Sequence, residues 1–287
     1  SGTGAAAAAR AALAAKAALA AKAASDRETG MKASTAGWTN GLLGVLIFSG
    51  SLPATRIAVA GFSPLFLTAA RAAIAAALGA ILLAALRQSL PARRDLASLA
   101  IVAFGVVLGF PLLTALALTQ VTAAHSIVFI ALLPLATAVF GVLRGGERPA
   151  PAFWLFSILG SAVVAGFALA NDAAASLGGD LAMLGAIVVC GLGYAEGAAL
   201  SRRLGGWQVI SWALLLAAPV MLVLAAITWP ADWSRVALPA WLGLGYVSVF
   251  SMLVGFVFWY RGLALGGIAG VGQLQLLQPF FGLVLAG

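Results

Sequence analysis

The sequence predicts an all-α membrane protein: a polytopic helical bundle of two inverted five-helix repeats, with about nine helices in this chain. Three observations predict it. First, about nine apolar stretches follow one another between Trp38 and Gly287. Each is long enough to cross a bilayer, because the hydrocarbon layer is about 30 Å thick and a helix needs roughly 20 apolar residues to span it. Second, the chain is 63% hydrophobic and 8% charged, with a mean hydropathy of +1.10. That leaves no stretch for a separate soluble domain. Third, the apolar stretches repeat one another at a spacing of about 145 residues.

Taken in order, residues 1–30 are an artificial or poorly assigned leader. Residues 5–24 read AAAAARAALAAKAALAAKAA. Alanine is the strongest helix former, so a helix is expected there. The segment lacks the apolar core and cleavage pattern of a signal peptide. Met31 is the expected natural start. The spans then fall at 38–58, 64–86, 97–117, 122–143, 152–170, 180–200, 208–229, 238–260 and 268–287. Residues 31–171 make the first repeat. Residues 172–287 make the second, expected to be truncated in or after its fourth helix because Gly287 ends the chain inside an apolar run.

Charge sets the orientation. Arg87, Arg93, Arg94, Arg144, Arg148, Arg202, Arg203 and Arg261 fall in connections on one side, and only Arg235 on the other, near Asp172, Asp180 and Asp232. Basic loops stay in the cytoplasm, so the arginine-rich side and the start near Lys32 are expected there. The net charge of +8 is therefore a topology signal, and no nucleic-acid partner is implied. Trp154, Trp207, Trp229, Trp233 and Trp241 stand near span ends, where interfacial tryptophans belong.

A shift of about 145 residues lays AHSIVFIALLPLATAVFGVL (124–143) on AGVGQLQLLQPFFGLVLAG (269–287), with Pro134 on Pro279. The third span falls on the eighth. The first falls on the sixth, with Gly44 on Gly185 and Gly50 on Gly191. Five spans per unit is an odd number, so the second unit enters the membrane in the opposite sense. Inverted repeats of this kind build secondary transporters, with the substrate near midplane between the units. The repeat also implies a tenth span beyond Gly287.

The segment ALALTQVTAAHSIVFIALLPLATAVFGVLRGGER (115–148) resembles the signature of the drug/metabolite transporter superfamily, in its EamA-type branch. It has the ALxxTxAxxA-like entry, a helix with a central proline and a Gly-Glu exit. The resemblance covers residues from about 37 to 287 and, within the family, is greatest to bacterial exporters of aromatic amino acids. It implies ten helices, both termini cytoplasmic, the bacterial inner membrane, and a central cavity lined by the first four helices of each unit. The fifth and tenth helices would be peripheral.

Few residues are available for chemistry. His125 is the single histidine, which excludes a multi-histidine metal site, and no cofactor is expected. There is no GxSxG elbow and no phosphate loop, so an embedded enzyme is disfavoured. Cys190 reads as a small core residue. Ionisable groups inside spans are costly and mark function by default. Arg71 lies roughly 12 Å along its span and is positioned either to attract a substrate carboxylate or to snorkel. Glu196, the one carboxylate well inside a span, serves either a substrate ammonium or a proton, or else an ion pair with Arg202 or Arg203. His125 is set to titrate or to bond a ligand, with Phe129 and Leu132 on its face at helical spacing. Gln275 and Gln278 share a face of the ninth span. Tyr194 and Trp212 are candidate walls for an aromatic ring, against the simpler reading of packing. Pro134 and Pro279, as symmetry mates, are the expected gate hinges.

These residues frame an exporter of small metabolites, with amino acids implied by the resemblance, working by alternating access. The partners are a small-molecule substrate and the lipid bilayer. Two units in one chain remove the need for a dimer without forbidding one, so a monomer suffices and the oligomeric state stays open. The rivals are a carrier of nucleotide sugars or drugs, and a non-transporting scaffold or sensor.

Overall fold

The computed structural model describes residues 34–169, 176–234 and 236–286. The leader, Lys32, the boundary at 171/172, Asp172 and Arg235 lie outside the described residues. Among the described residues the chain forms nine helical rods and no strand. They are α1 (Ser34–Ala58), α2 (Pro64–Ala85), α3 (Arg93–Ala117), α4 (123–145), α5 (Pro151–Leu169), α6 (Leu177–Leu204), α7 (Gly206–Ile227), α8 (Leu238–Gly266) and α9 (268–286). Six of them, α1, α2, α3, α6, α7 and α8, are long and apolar enough to cross a membrane as single rods.

Local chemistry sets the starts and stops. Ser63 caps α2 by accepting the Phe66 N–H at 3.3 Å, and Pro64 fills the first helical position. Thr122 caps α4, its hydroxyl accepting the His125 N–H at 3.1 Å. α4 ends at Gly146, whose φ of 67° is left-handed, and the Glu147 N–H returns to the Gly141 carbonyl. Several rods run past the apolar stretches that predict them. α3 starts at Arg93 rather than 97, and α6 continues to Leu204 and α8 to Gly266. Backbone bonding continues through the polar ends until Gly205 and Gly267, at φ 93° and 94°, turn the chain.

Three rods are not continuous. α1 turns at Gly50, below Pro53, whose missing N–H leaves the Ser49 carbonyl without its helical donor. The Tyr246 hydroxyl donates to the Ile47 carbonyl at 2.9 Å beside this turn. α4 breaks at 131–132, between Ala123–Ile130 and Leu133–Gly145, directly before Pro134. α9 tightens to a 3-10 turn over Gln273–Leu277, directly before Pro279. The uninterrupted span expected at 122–143 is thus two half-length helices, because Pro134 cannot donate to the Ile130 carbonyl.

α3 and α8 each carry a π-helical segment, Ala103–Gly109 and Val247–Val254. A common cause is visible. A Cβ on Gly109 would meet the Phe104 carbonyl at 2.7 Å, and one on Gly255 would meet the Phe250 carbonyl at 3.0 Å. A glycine five residues after a phenylalanine lets that carbonyl fold inward in both helices.

Glycine also sets the crossings. Gly37 and Gly41 of α1 lie on the backbone of Gly262 and Gly266 of α8. Gly105 of α3 lies on Val189 and Gly193 of α6. Small residues let helices approach closely where lipid supplies no hydrophobic drive for association. α2 packs mainly against α7, and α4 against α6. α5 packs chiefly on α4 and leaves Phe156 and Val163 exposed, as a peripheral helix would. Away from the arginine-rich end, Phe62 and Phe66 meet Trp229, Trp233 and Trp241 at ring distances of 5.1–6.2 Å, and Trp229 meets Trp233 at 4.8 Å. These tryptophans clamp two connections together as well as facing outward.

Candidate functional site

The eight predicted binding residues do not converge on one pocket. They fall into groups at three levels of the bundle.

The interior group joins α1, α6, α8 and α9. Tyr194 is buried beside Cys190 and Gln275. Its ring packs on Trp259 at 5.6 Å and on Phe256 at 6.1 Å, and Phe48 closes the cluster against Phe256 at 5.1 Å. Trp259 is fully buried, yet its Nε1 has no partner, and neither does the Oε1 of buried Gln275. Buried polar atoms are normally satisfied, so a donor and an acceptor left open beside Tyr194 make this cluster a candidate for a ligand contact. Gln278 stands one turn further on and is half-buried. Gln273 reaches across to donate to the Pro134 carbonyl at 3.5 Å, linking α9 to the break in α4.

Arg71 belongs to α2, which packs on α7, on the π segment of α8 and on the last turns of α3. Its Nε is sealed from solvent and makes no hydrogen bond, and no carboxylate pairs with it among the described residues. The residue as a whole is only half-buried. Arg56, at the far end of α1, is exposed.

The arginine-rich end is a network. Glu196 accepts from Arg144 Nε at 2.7 Å and from Ser98 Oγ at 2.5 Å. Its expected ion-pair partners, Arg202 and Arg203, are engaged elsewhere. Arg203 lies 2.8 Å from Asp95, a charge contact without hydrogen-bond alignment, and Arg202 lies 3.4 Å from Glu147. The bond and charge of Glu196 push the Arg144 guanidinium above its ordinary range. Glu147 accepts the Ile268 and Ala269 N–H groups at 2.5 and 2.7 Å, where the positive end of the α9 dipole meets its carboxylate. Trp212 lines a cavity of about 240 Å³ at this end, with Gln88, Arg94, Asp95 and Gln208. Trp212 packs against the same apolar core as Tyr194 but lines this cavity and makes no ring contact with the Tyr194 cluster among the described residues.

At the far end, His125 Nε2 meets Asp180 Oδ1 at 2.7 Å, and the His125 ring lies 5.7 Å from Phe129. Leu132, expected on the same face, falls at the break in α4.

Sequence reasoning missed Glu147 as a structural part, Asp180, Ser98 and the unpartnered Trp259 nitrogen. Glu147 had a signal: it follows the helix-ending Gly146 in the exit motif. The others had none, because each is defined by a contact between helices far apart in sequence.

A bundle of apolar rods with two proline-broken helices facing each other, and polar atoms left open inside, defines a polytopic helical membrane transporter. The comparisons identify which. The profile of the EamA-like transporter family matches twice, over residues 35–169 and 177–287, so the chain belongs to that family. It is 70% identical over 256 residues to the Uncharacterized transporter YdeK of Bacillus subtilis (strain 168), covering 89% of each chain. A solved crystal structure of a protein 22% identical superposes with a TM-score of 0.72 over 88% of this chain and 87% of that one, which shows the shared fold.

Proposed function

We propose that this transporter exports small metabolites that carry a carboxylate, with amino acids, aromatic ones included, as the leading class, by alternating access between its two repeats. The observation that carries the reading is Arg71: a guanidinium within a span, with a sealed nitrogen and no carboxylate partner among the described residues. A charge at mid-helix in a bilayer costs about 2.5–3.5 kcal/mol, and a carboxylate-bearing substrate offsets that cost. Tyr194 and Gln275, with the rings around them, would take the rest of the molecule. His125, Phe129 and Gln278 would meet it nearer the mouth. Pro134 and Pro279 would hinge the broken helices. The eight arginines support an orientation with the network end in the cytoplasm, in a bacterial inner membrane.

The test is counterflow in liposomes. Vesicles holding the transporter and unlabelled amino acid are given labelled phenylalanine, tryptophan or threonine. Saturable exchange is expected. Arg71→Gln should lower it at least tenfold while the protein melts no earlier, because the variant removes an unpaired charge. No exchange by correctly folded wild type removes amino acids as the substrate class. Exchange of a labelled nucleotide sugar instead moves the assignment to that rival.

A further inference from the structure

We propose that the cavity at the arginine-rich end is a lipid site for the headgroup of phosphatidylethanolamine, with its phosphodiester on Arg94 and its primary ammonium toward Asp95 and Gln208. The inference goes beyond the transport reading and does not rest on it.

The place fits a lipid. α2 ends at Ala85, α3 starts at Arg93, α6 ends at Leu204 and α7 starts at Gly206. The cavity is lined by the 88–95 connection, by Leu204, and by Gln208 and Trp212 of α7. It therefore lies where four rods leave the apolar layer. Leu90 lines it and is 80% exposed, and Leu86 nearby is 57% exposed. Such side chains face water at a cost that acyl chains would remove. The volume of about 240 Å³ is room for roughly eight waters at about 30 Å³ each. A phosphoethanolamine headgroup has about that many non-hydrogen atoms.

The lining sets the chemistry. Arg94 is exposed and takes part in no ion pair among the described residues. A free guanidinium favours an anionic oxygen, phosphate above all. Asp95 is 2% exposed, and its Oδ1 has the Arg203 charge at 2.8 Å but no hydrogen-bond donor. Gln208 gives its amide nitrogen to Gln88 at 3.4 Å, and its Oε1 has no donor either. Buried acceptors are normally satisfied, so a ligand here gains most by bringing donors as well as an anion.

Among donors the carboxylate selects an ammonium, because hydrogen bonds between charged partners are roughly twice as strong as neutral ones. A quaternary ammonium has no N–H to give. Trp212 offers it one ring rather than the aromatic cage that binds such groups. The fitting headgroup is thus the primary amine and not its trimethylated form. Soluble glycerophosphoethanolamine carries the same groups, and the exposed leucines favour the lipid as the source.

The test is native mass spectrometry of the full chain, offered equal amounts of phosphatidylethanolamine, phosphatidylcholine and phosphatidylglycerol. Phosphatidylethanolamine is expected to bind about tenfold more tightly than phosphatidylcholine, the worth of one hydrogen bond to a charged group. Arg94→Gln changes an exposed side chain, and should weaken both lipids while keeping their ratio. Asp95→Asn should bring the ratio toward one, and Gln208→Leu should lower it if Asp95→Asn does not fold. Arg56→Gln, at the opposite end, should bind as wild type does. Glycerophosphoethanolamine should compete only at far higher concentration. The proposal is overturned if phosphatidylcholine or phosphatidylglycerol binds wild type as tightly as phosphatidylethanolamine. It is overturned equally if Arg94→Gln binds as wild type does, or if the soluble headgroup binds as tightly as the lipid.

Discussion

Two seams of this molecule are built alike and finished differently. α1 crosses α8, and α3 crosses α6. In the sequence repeat α1 corresponds to α6 and α3 to α8, so each seam pairs a first-position helix with a third-position helix. Gly44 of α1 sits on Trp259 of α8, and Gly185 of α6 sits on Leu113 of α3. Near the middle, Ser51 donates to Ser251 at 2.8 Å in one seam, and Gly105 lies against Gly193 in the other. The ends differ. The α1/α8 seam is neutral along its length, closing with Gly262 on Gly41 at one end and Gly243 on Ala54 at the other. The α3/α6 seam carries Ser98–Glu196 and Asp95–Arg203 at the arginine-rich end. Backbone contact at a glycine has one geometry, while an ion pair at a water-exposed end can break and re-form. The α3/α6 seam therefore differs only at that end, where its contacts can break and re-form; its glycine contact at Gly105 is as close as those of the other seam.

The comparison breaks most easily at Gly262. A Cβ there would stand 2.5 Å from the Gly41 nitrogen, and backbone cannot yield as a side-chain tip can. Gly262→Leu is expected to lose the folded protein or destabilise it by about 3 kcal/mol or more, read as a melting shift in detergent. Gly245→Leu, where nothing lies within 4 Å, is the control and should melt as wild type. A harmless Gly262→Leu would remove the claim that this seam is fixed.

A smaller effect is expected at Glu196. Arg144 is half exposed, so their coupling is screened and should be about 1 kcal/mol in a double-mutant cycle of Glu196→Gln with Arg144→Gln. The sharper outcome concerns rate: if the α3/α6 seam opens during transport, Glu196→Gln changes the exchange rate by more than its stability loss explains. An unchanged rate would assign the pair to folding alone.

The smallest effect is at Ser51. Removing one hydroxyl pair between membrane helices costs about 0.6 kcal/mol, so Ser51→Ala should shift melting only slightly and leave exchange intact. A loss of exchange there would make the α1/α8 seam a moving part.

The sequence by itself determined the number and order of the helices, because a bilayer demands long apolar runs and nothing else in the chain could satisfy it. It also marked Pro134 and Pro279 as hinges, since a missing N–H is a local fact, but which prolines break a helix was not legible: Pro219 stands inside the unbroken α7. Family membership was legible in the 115–148 segment for the same reason: its glycines and prolines act on their own backbone. What only the tertiary structure decided is the pairing of polar side chains. Glu196 chose Arg144 over the nearby Arg202 and Arg203, His125 found Asp180 rather than a place beside Tyr194, and Trp212 stood apart from both. Those choices depend on how each helix is rotated about its axis. In these nearly all-apolar helices the sequence leaves that rotation almost unmarked; close contacts at glycines such as Gly105, Gly193 and Gly262 set it once the helices meet.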